Sequence, residues 1–152
     1  MNAIRWDGRS LHLLDQRRLP GETRWLRLDT SESVARAIAQ MVVRGAPAIA
    51  ITAAYGIALA IQGHEDRKQA SERLLAARPT AVNLRWALER LAPLTDEQVE
   101  AEARRIHAED LALNHALAGH GAPLLEGGVL TICNTGSLAT GGHGTALGMI
   151  RT

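Results

Sequence analysis

The chain has 152 residues, of which 46% are hydrophobic and 22% charged, and its formal net charge is +1. This length suffices for a domain with a hydrophobic core, and the composition excludes general disorder. The small net charge gives no indication of nucleic-acid binding. The only cysteine, Cys133, cannot form an internal disulfide, which is typical of a protein in a reducing compartment.

The sequence predicts neither a signal peptide nor a membrane span. Residues 1–9 lack the apolar core of a signal peptide. The longest apolar stretch, residues 46–61, contains a proline and a glycine and is shorter than the roughly 20 residues that span a bilayer. We therefore predict a cytoplasmic protein that does not enter a membrane.

The N-terminal segment is predicted to form a small antiparallel sheet. Residues 4–28 contain short apolar pieces separated by Asp7-Gly8 and Pro20-Gly21. Asp-Gly between apolar residues favours a hairpin, and Pro-Gly favours a turn. We expect two or three short strands in this segment.

The next region, residues 29–121, is predicted to be helical. Asp29 and Glu32 have the spacing of a helix start, and that helix is expected to end near Arg44-Gly45. Pro47 suits the first turn of a second helix, whose small apolar residues predict burial on several sides. Further helices are predicted over residues 69–77, after a cap at Thr80, and from a capping box of Thr95 and Gln98 to Gly121.

The last segment changes character. Residues 129–133 form a short apolar run typical of a buried parallel strand, and a glycine-rich loop at 134–145 and the start of a helix follow. A parallel strand needs neighbouring strands, and the sequence offers none after this run. Either the chain is a fragment of a larger protein or a partner chain completes the sheet, and we favour the fragment.

Cys133 and the loop after it are the first candidates for chemistry. At the end of a strand, Cys133 would lie where α/β folds bind ligands, and its thiol could serve as an acid or nucleophile. The alternative is a buried structural cysteine. The loop could offer backbone N–H groups to an anion, or be an ordinary turn. It matches neither the G-x-G-x-x-G pattern nor a P-loop.

Two arginines precede predicted helices. Arg44, followed by Gly45, Ala46 and a proline, places a guanidinium at a helix start, where it could bind a phosphate. Arg78 stands in a similar place before the next predicted helix. The alternative for both is a surface arginine beside a helix break.

The histidines and carboxylates predict no metal site. His107 and His115 are eight residues apart on a predicted helix, which is not a metal-ligand spacing, so we interpret both as solvated or capping residues. Glu109 and Asp110 are adjacent and are expected to point in different directions.

Three motifs together resemble the methylthioribose-1-phosphate isomerases. That family is related to the ribose-1,5-bisphosphate isomerases and to the regulatory subunits of translation initiation factor 2B. The motifs lie, in the family's order, at residues 44–49, 78–84 and 133–148. The resemblance spans the whole chain but only about the first half of a full-length family member.

The resemblance implies an α+β fold in two parts. Residues 1–121 would form a small antiparallel sheet with a helical bundle. Residues 122–152 would be the first strand, loop and helix of a truncated Rossmann-like catalytic domain. It also implies a homodimer in the full-length protein and a phosphosugar substrate, without nucleic acid, membrane, metal or cofactor.

The resemblance also implies roles for individual residues in methionine salvage. Cys133 would be the catalytic acid–base group of an aldose–ketose isomerase. Arg44, Gly45, Ala46 and Arg78 would bind the substrate. The family's partner aspartate would lie beyond the last residue, so we expect the chain to be inactive alone. A non-catalytic regulatory subunit and a ribose-1,5-bisphosphate isomerase remain alternatives.

Two positions depart from the family pattern. Ala50 stands where a glycine is expected after the proline, and Ile132 stands where histidine is frequent. Neither change removes a motif residue, although Ala50 could tighten packing near the pocket.

Overall fold

The computed structural model describes residues 2–152, which form a three-stranded sheet and six α-helices. This confirms the predicted α+β class. The strands are β1 (Ile4–Trp6), β2 (Leu11–Leu14) and β3 (Trp25–Leu28). The helices are α1 (Ser31–Ala39), α2 (Ala46–Gln62), α3 (Arg67–Ala77), α4 (Val82–Leu91), α5 (Asp96–Gly121) and α6 (Ala146–Arg151). Short 3-10 turns lie at Ala122–Leu124 and Ser137–Ala139.

The sheet is antiparallel in the order β1-β2-β3, with Ile4 opposite Leu13 and Leu11 opposite Leu28. All four side chains are buried against the helices. The predicted Asp7-Gly8 hairpin joins β1 to β2, where the Asp7 carboxylate accepts two backbone N–H bonds. The predicted strands of the N-terminal segment are therefore confirmed.

Helix α2 is the centre of the bundle. Every residue from Ala48 to Ala60 is buried, so no face of this part of the helix meets solvent. It packs against the sheet and against α1, α3, α4 and α5. The prediction of a helix buried on several sides is confirmed.

Helix α1 differs from its prediction at both ends. Its N-cap is Thr30, whose hydroxyl accepts the Ser33 N–H at 3.1 Å, one residue after the predicted start. It ends at Ala39 rather than near Arg44, because Met41 takes a left-handed conformation (φ 60°) and closes the helix. The Val42 N–H then donates to the Ala37 carbonyl at 2.9 Å, the pattern of a Schellman motif.

The predicted strand at residues 129–133 is not formed. Val129, Leu130 and Ile132 are 45%, 97% and 88% exposed, respectively. A strand requires a neighbour to satisfy its backbone groups, and within residues 2–152 the only sheet is β1–β3, which does not reach this segment. The glycine-rich loop and the helix after it, α6, are present.

No helix in the described part of the chain, residues 2–152, is long and apolar enough to cross a bilayer.

A polar network joins β1, α2 and α5 beneath the C-terminal loop. The Trp6 ring stacks on Tyr55 with 5.0 Å between centroids, and its indole N–H donates to Glu100 at 2.9 Å. The Tyr55 hydroxyl lies 3.2 Å from His107 Nδ1. His107 Nε2 lies 2.9 Å from the Gly141 carbonyl oxygen, which can only accept. Nε2 of His107 therefore carries a proton, and in the neutral ring Nδ1 is left to accept from the Tyr55 hydroxyl.

The helix caps give a stability prediction. Thr30→Ala removes the acceptor for the Ser33 N–H and is expected to lower the free energy of unfolding by about 1 kcal/mol. Thr80 is a matched control, because α4 begins after Ala81 and has no side-chain cap. Thr80→Ala should change stability by less than about 0.5 kcal/mol. Urea unfolding followed by circular dichroism measures both, and equal losses would contradict the cap assignment.

His107 gives a pH prediction. Burial lowers its pKa below the ordinary value of 6.5. Between these two values the unfolded chain binds a proton that the folded chain does not, so stability rises with pH in that window. We expect the free energy of unfolding to fall as pH drops through about 6.5, reaching its full loss below the folded-state pKa.

The matched variant for this pH effect is His107→Gln, because glutamine keeps a donor for Gly141 but does not titrate. Urea titrations at about pH 7.5, 6.5 and 5.5 should show a shallower pH dependence in the variant. Parallel curves for the two proteins would show that His107 is not the titrating group.

Candidate active site

The segment predicted to bind substrate, Arg44 to Ala46, forms the N-terminus of α2. Gly45 is the N-cap residue and has φ 105°, a conformation that glycine adopts readily. A Cβ at this position would lie 2.5 Å from the Ala139 carbonyl oxygen. Only glycine therefore allows the C-terminal loop to lie on the start of α2, beside the exposed Arg44 side chain.

Arg78 lies between α3 and α4. It caps the C-terminus of α3 and is half-buried, and its carbonyl accepts the Ala81 N–H at 3.0 Å in the turn that leads into α4. Within residues 2–152, neither the Arg78 nor the Arg44 guanidinium has a hydrogen-bond or ion-pair partner. Eight other arginines do, from Arg17 on the sheet side to Arg105 on α5. Both predicted substrate arginines are thus free to bind a ligand.

A groove of about 440 Å³ connects the two helix starts. It lies between the first turns of α2 and α4 and the middle of α5, and its floor is mostly apolar. Its walls include Pro47, Ala50, Val82, Asn83, Trp86 and Asp110. The groove therefore lies between the helix starts that follow the two predicted substrate arginines, although neither Arg44 nor Arg78 is among its lining residues.

The helices that open onto the groove have unsatisfied N-termini. The backbone N–H groups of Ala46, Ala48, Val82 and Asn83 donate to no acceptor within residues 2–152. The first turns of α2 and α4 contain no acidic residue, and no side chain caps either helix. Because these N–H groups carry partial positive charge, the groove suits an anionic ligand.

The other long helices show that this feature is local. Helix α1 is capped by Thr30 and α3 by Asp66, whose carboxylate accepts the Gln69 N–H at 2.8 Å. At α5, the predicted capping box is present, and the Gln98 side chain accepts the Thr95 N–H at 3.0 Å. Among the long helices of residues 2–152, only α2 and α4 begin with neither a side-chain contact at the N-cap nor an acidic residue in the first turn.

Cys133 was predicted to lie at the end of a strand, but the structure has no strand at this position. It is an exposed free thiol in an irregular segment, with φ 72°. The interpretation as a buried structural cysteine is therefore wrong. No hydrogen bond within residues 2–152 links the thiol to Arg44 or Arg78, so its catalytic role stays a prediction.

The glycine-rich loop uses its own amides internally. The Thr140 hydroxyl accepts the N–H groups of Gly142 and Gly144 at 3.3 and 3.1 Å. The Thr145 N–H donates to the Thr135 carbonyl at 2.9 Å. These three N–H groups are therefore unavailable to the anion that was predicted to bind the loop.

Helix α5 holds the loop through residues that sequence reasoning missed. The Gly141 N–H donates to Asp110 Oδ2 at 2.6 Å, and His107 donates to the carbonyl of the same glycine. The interpretation of His107 as a solvated or capping residue is therefore wrong. The available signal was the spacing of His107, Asp110 and Asn114, which places them on one face of a helix. Glu109 points elsewhere, toward Arg90 at 2.7 Å, as predicted.

A second contact fixes the loop from the sheet side. The buried Gln16, two residues after β2, donates its side-chain N–H to the Leu138 carbonyl at 2.7 Å. His115, on α5, and His143, in the loop, stack with 4.2 Å between ring centroids. In the described residues, no group of three or more His, Cys, Asp or Glu side chains could hold a metal ion.

The chain matches the initiation factor 2 subunit family over residues 42–152. It is 53% identical to the methylthioribose-1-phosphate isomerase of Thioalkalivibrio sulfidiphilus, covering 100% of this chain and 49% of that protein. It is 55% identical to the enzyme of the same name from Alcanivorax borkumensis, covering 99% of this chain and 48% of that one. The chain thus spans about half the length of the curated relatives it matches.

Solved structures show the same fold. The 5-methylthioribose 1-phosphate isomerase from Pyrococcus horikoshii OT3 has a TM-score of 0.92 and 36% identity, covering 99% of this chain and 48% of that chain. The translation initiation factor eIF-2B subunit delta from A. fulgidus has a TM-score of 0.82 and 40% identity, covering 99% and 50%. The family resemblance drawn from the three motifs is confirmed, and the chain belongs to the initiation factor 2 subunit family.

Proposed function

We propose that this chain carries the substrate-anchoring part of an aldose–ketose isomerase that converts 5-methylthioribose 1-phosphate to 5-methylthioribulose 1-phosphate. The main support for this proposal is that two arginines without partners, Arg44 and Arg78, precede the uncapped helix starts beside one groove. A guanidinium with backbone N–H groups is a strong receptor for a phosphate monoester. The names of the curated relatives support this substrate.

The reaction explains why the site needs both charge and an apolar floor. The anomeric oxygen of the substrate is esterified to phosphate, which blocks simple ring opening, and a hydrogen must move from C2 to C1. Arg44, Gly45, Ala46 and Arg78 would hold the phosphosugar in one orientation. An apolar groove excludes water and strengthens these charged contacts.

Cys133 would act as an acid–base group that exchanges a proton with the sugar. Its partner would be a carboxyl group, and one of the two would carry the proton while the other does not. Such a pair works when its surroundings separate the two pKa values. The relatives are about twice as long as this chain, and we infer that the partner carboxylate belongs to the half that this chain does not span. That half would also cover the exposed segment around Cys133.

The same reasoning gives the proposed organisation. Residues 1–121 would be one domain, ending with α5, and residues 122–152 would begin the catalytic domain. The exposed apolar run at 129–133 favours further association, and we propose a homodimer for the full-length protein. We also propose a cytoplasmic protein with a small phosphosugar as its ligand and neither nucleic acid nor membrane as a partner.

A second candidate is a regulatory subunit that binds a phosphorylated ligand without turning it over. The 40% identity to the eIF-2B delta subunit of A. fulgidus favours this candidate. A ribose-1,5-bisphosphate isomerase is a related alternative, which differs in the substituent at C5. Away from the two helix starts, the groove is mostly apolar and includes the Asp110 carboxylate, which favours methylthio over a second phosphate there.

A comparison of two proteins tests the proposed function. We expect residues 1–152 alone to show no turnover of 5-methylthioribose 1-phosphate, because the partner carboxylate is missing. A fusion of residues 1–152 to the C-terminal half of the Alcanivorax borkumensis relative should turn it over. Turnover by residues 1–152 alone would contradict the shared site. An inactive but folded fusion that binds the phosphosugar in calorimetry would support the regulatory candidate.

Substitutions in that fusion test the assigned roles. Cys133→Ser should lower kcat on the order of 10²- to 10⁴-fold. Arg78→Ala should mainly raise KM, by roughly 10- to 100-fold, because it removes a charged contact to the phosphosugar.

The matched control for Arg78 is Arg85→Ala. Arg85 is an exposed arginine within α4 that, like Arg78, has no hydrogen-bond or ion-pair partner within residues 2–152, but it does not precede a helix start. Its kinetics should equal those of the unsubstituted fusion. An equal rise of KM in both arginine variants would indicate a general charge effect rather than a phosphate contact.

A further inference from the structure

We propose that His107 and Asp110 are positioning residues of this isomerase: they clamp Gly141 and so set where Cys133 lies relative to Arg44 and Arg78. The inference rests on the proposed function, because it assigns these residues a part in the same reaction. Neither residue contacts the thiol, so they would act on it through the loop, although Asp110 also forms part of the groove wall.

His107 and Asp110 together bind both backbone polar groups of Gly141. The Gly141 N–H donates to Asp110 Oδ2 at 2.6 Å, and its carbonyl accepts from His107 Nε2 at 2.9 Å. The two side chains lie three residues apart on α5 and therefore project from the same face. A Cβ at position 141 would lie 3.0 Å from both side chains, so glycine permits this close approach.

The clamping side chains are themselves fixed. His107 Nδ1 accepts from the Tyr55 hydroxyl at 3.2 Å, and Tyr55 stacks on Trp6. Asp110 Oδ2 also accepts from the buried Asn114 side chain at 3.1 Å. The position of Gly141 is thus fixed relative to β1, α2 and α5 together, and α2 begins directly after Arg44 and Gly45.

A displacement of Gly141 would also move Cys133, because hydrogen bonds join the two ends of the loop. Gly136 and Gly144 form an isolated antiparallel bridge, and the Thr145 N–H donates to the Thr135 carbonyl at 2.9 Å. The Thr140 hydroxyl crosslinks the interior of the loop. Cys133 precedes this closed base by two residues, so a shift of the loop displaces the thiol.

The test measures kcat and KM in the fusion described above. Asp110→Ala removes the acceptor for the Gly141 N–H and should lower kcat on the order of 10- to 100-fold, as expected for a misplaced catalytic group. KM should not rise by more than about 3-fold, because the arginines that bind substrate are untouched and the carboxylate that is lost from the groove wall would repel an anion. Asp110→Asn retains an acceptor oxygen and should keep kcat within about 3-fold.

A second pair of variants tests the other half of the clamp. His107→Leu removes the donor to Gly141 and should lower kcat like Asp110→Ala. His107→Gln can still donate and should restore most of kcat. Val99→Ala, a buried α5 residue outside the site, is the control for general destabilisation, and it should leave kcat unchanged while lowering the melting temperature.

The outcomes separate this inference from the proposed function. If Asp110→Asn is as damaging as Asp110→Ala, the carboxylate charge rather than the loop position matters, and the positioning role is overturned. Unchanged kcat in Asp110→Ala and His107→Leu overturns it as well. A fusion that folds but shows no turnover before any substitution overturns the proposed function, and this inference falls with it.

Discussion

The enclosure of α2 is the constraint on which the rest of the structure depends. A helix can be surrounded by a sheet and four other helices only if its side chains are small enough for close approach, and the run from Ala48 to Ala60 is rich in alanine. At Gly56, a Cβ would already lie 3.0 Å from Val34. This packing fixes the position of the start of α2. The C-terminal loop therefore packs against Gly45, and Arg44 lies beside this contact.

The elements of the fold could be predicted because their signals are local. Asp7-Gly8 marks a hairpin, Pro47 marks the first turn of α2, and Thr95 with Gln98 marks the start of α5. The end of α1 could not be predicted, because it depends on tertiary contacts. Val42 and Val43 lie outside the helix and are buried, and the Val42 carbonyl accepts the Gln16 N–H at 3.0 Å. That bond links residues far apart in sequence, and no helix periodicity encodes it.

In the candidate site, too, some residues could be predicted from local motifs and others could not. Arg44 and Arg78 were identified from their motifs, and the structure places the helix starts that follow them beside one groove. The roles of His107 and Asp110 were missed because their partner, Gly141, lies more than 30 residues away along the chain. Residues 129–133 were predicted as a strand from an apolar pattern that local propensity supports, but a strand also needs a neighbour, which sequence periodicity does not supply.

The distribution of backbone N–H groups decides where an anion can bind. In the glycine-rich loop, Thr140 and Asp110 accept the N–H groups of three glycines, so these glycines give rigidity and close approach rather than an anion cradle. At α2 and α4, by contrast, the first-turn N–H groups are open, and an arginine stands before each helix. A phosphate at the groove would gain from both sources of positive charge. In the proposed function, the loop and the groove would therefore have separate tasks: the groove would bind the anion, and the loop would fix the segment that carries the thiol.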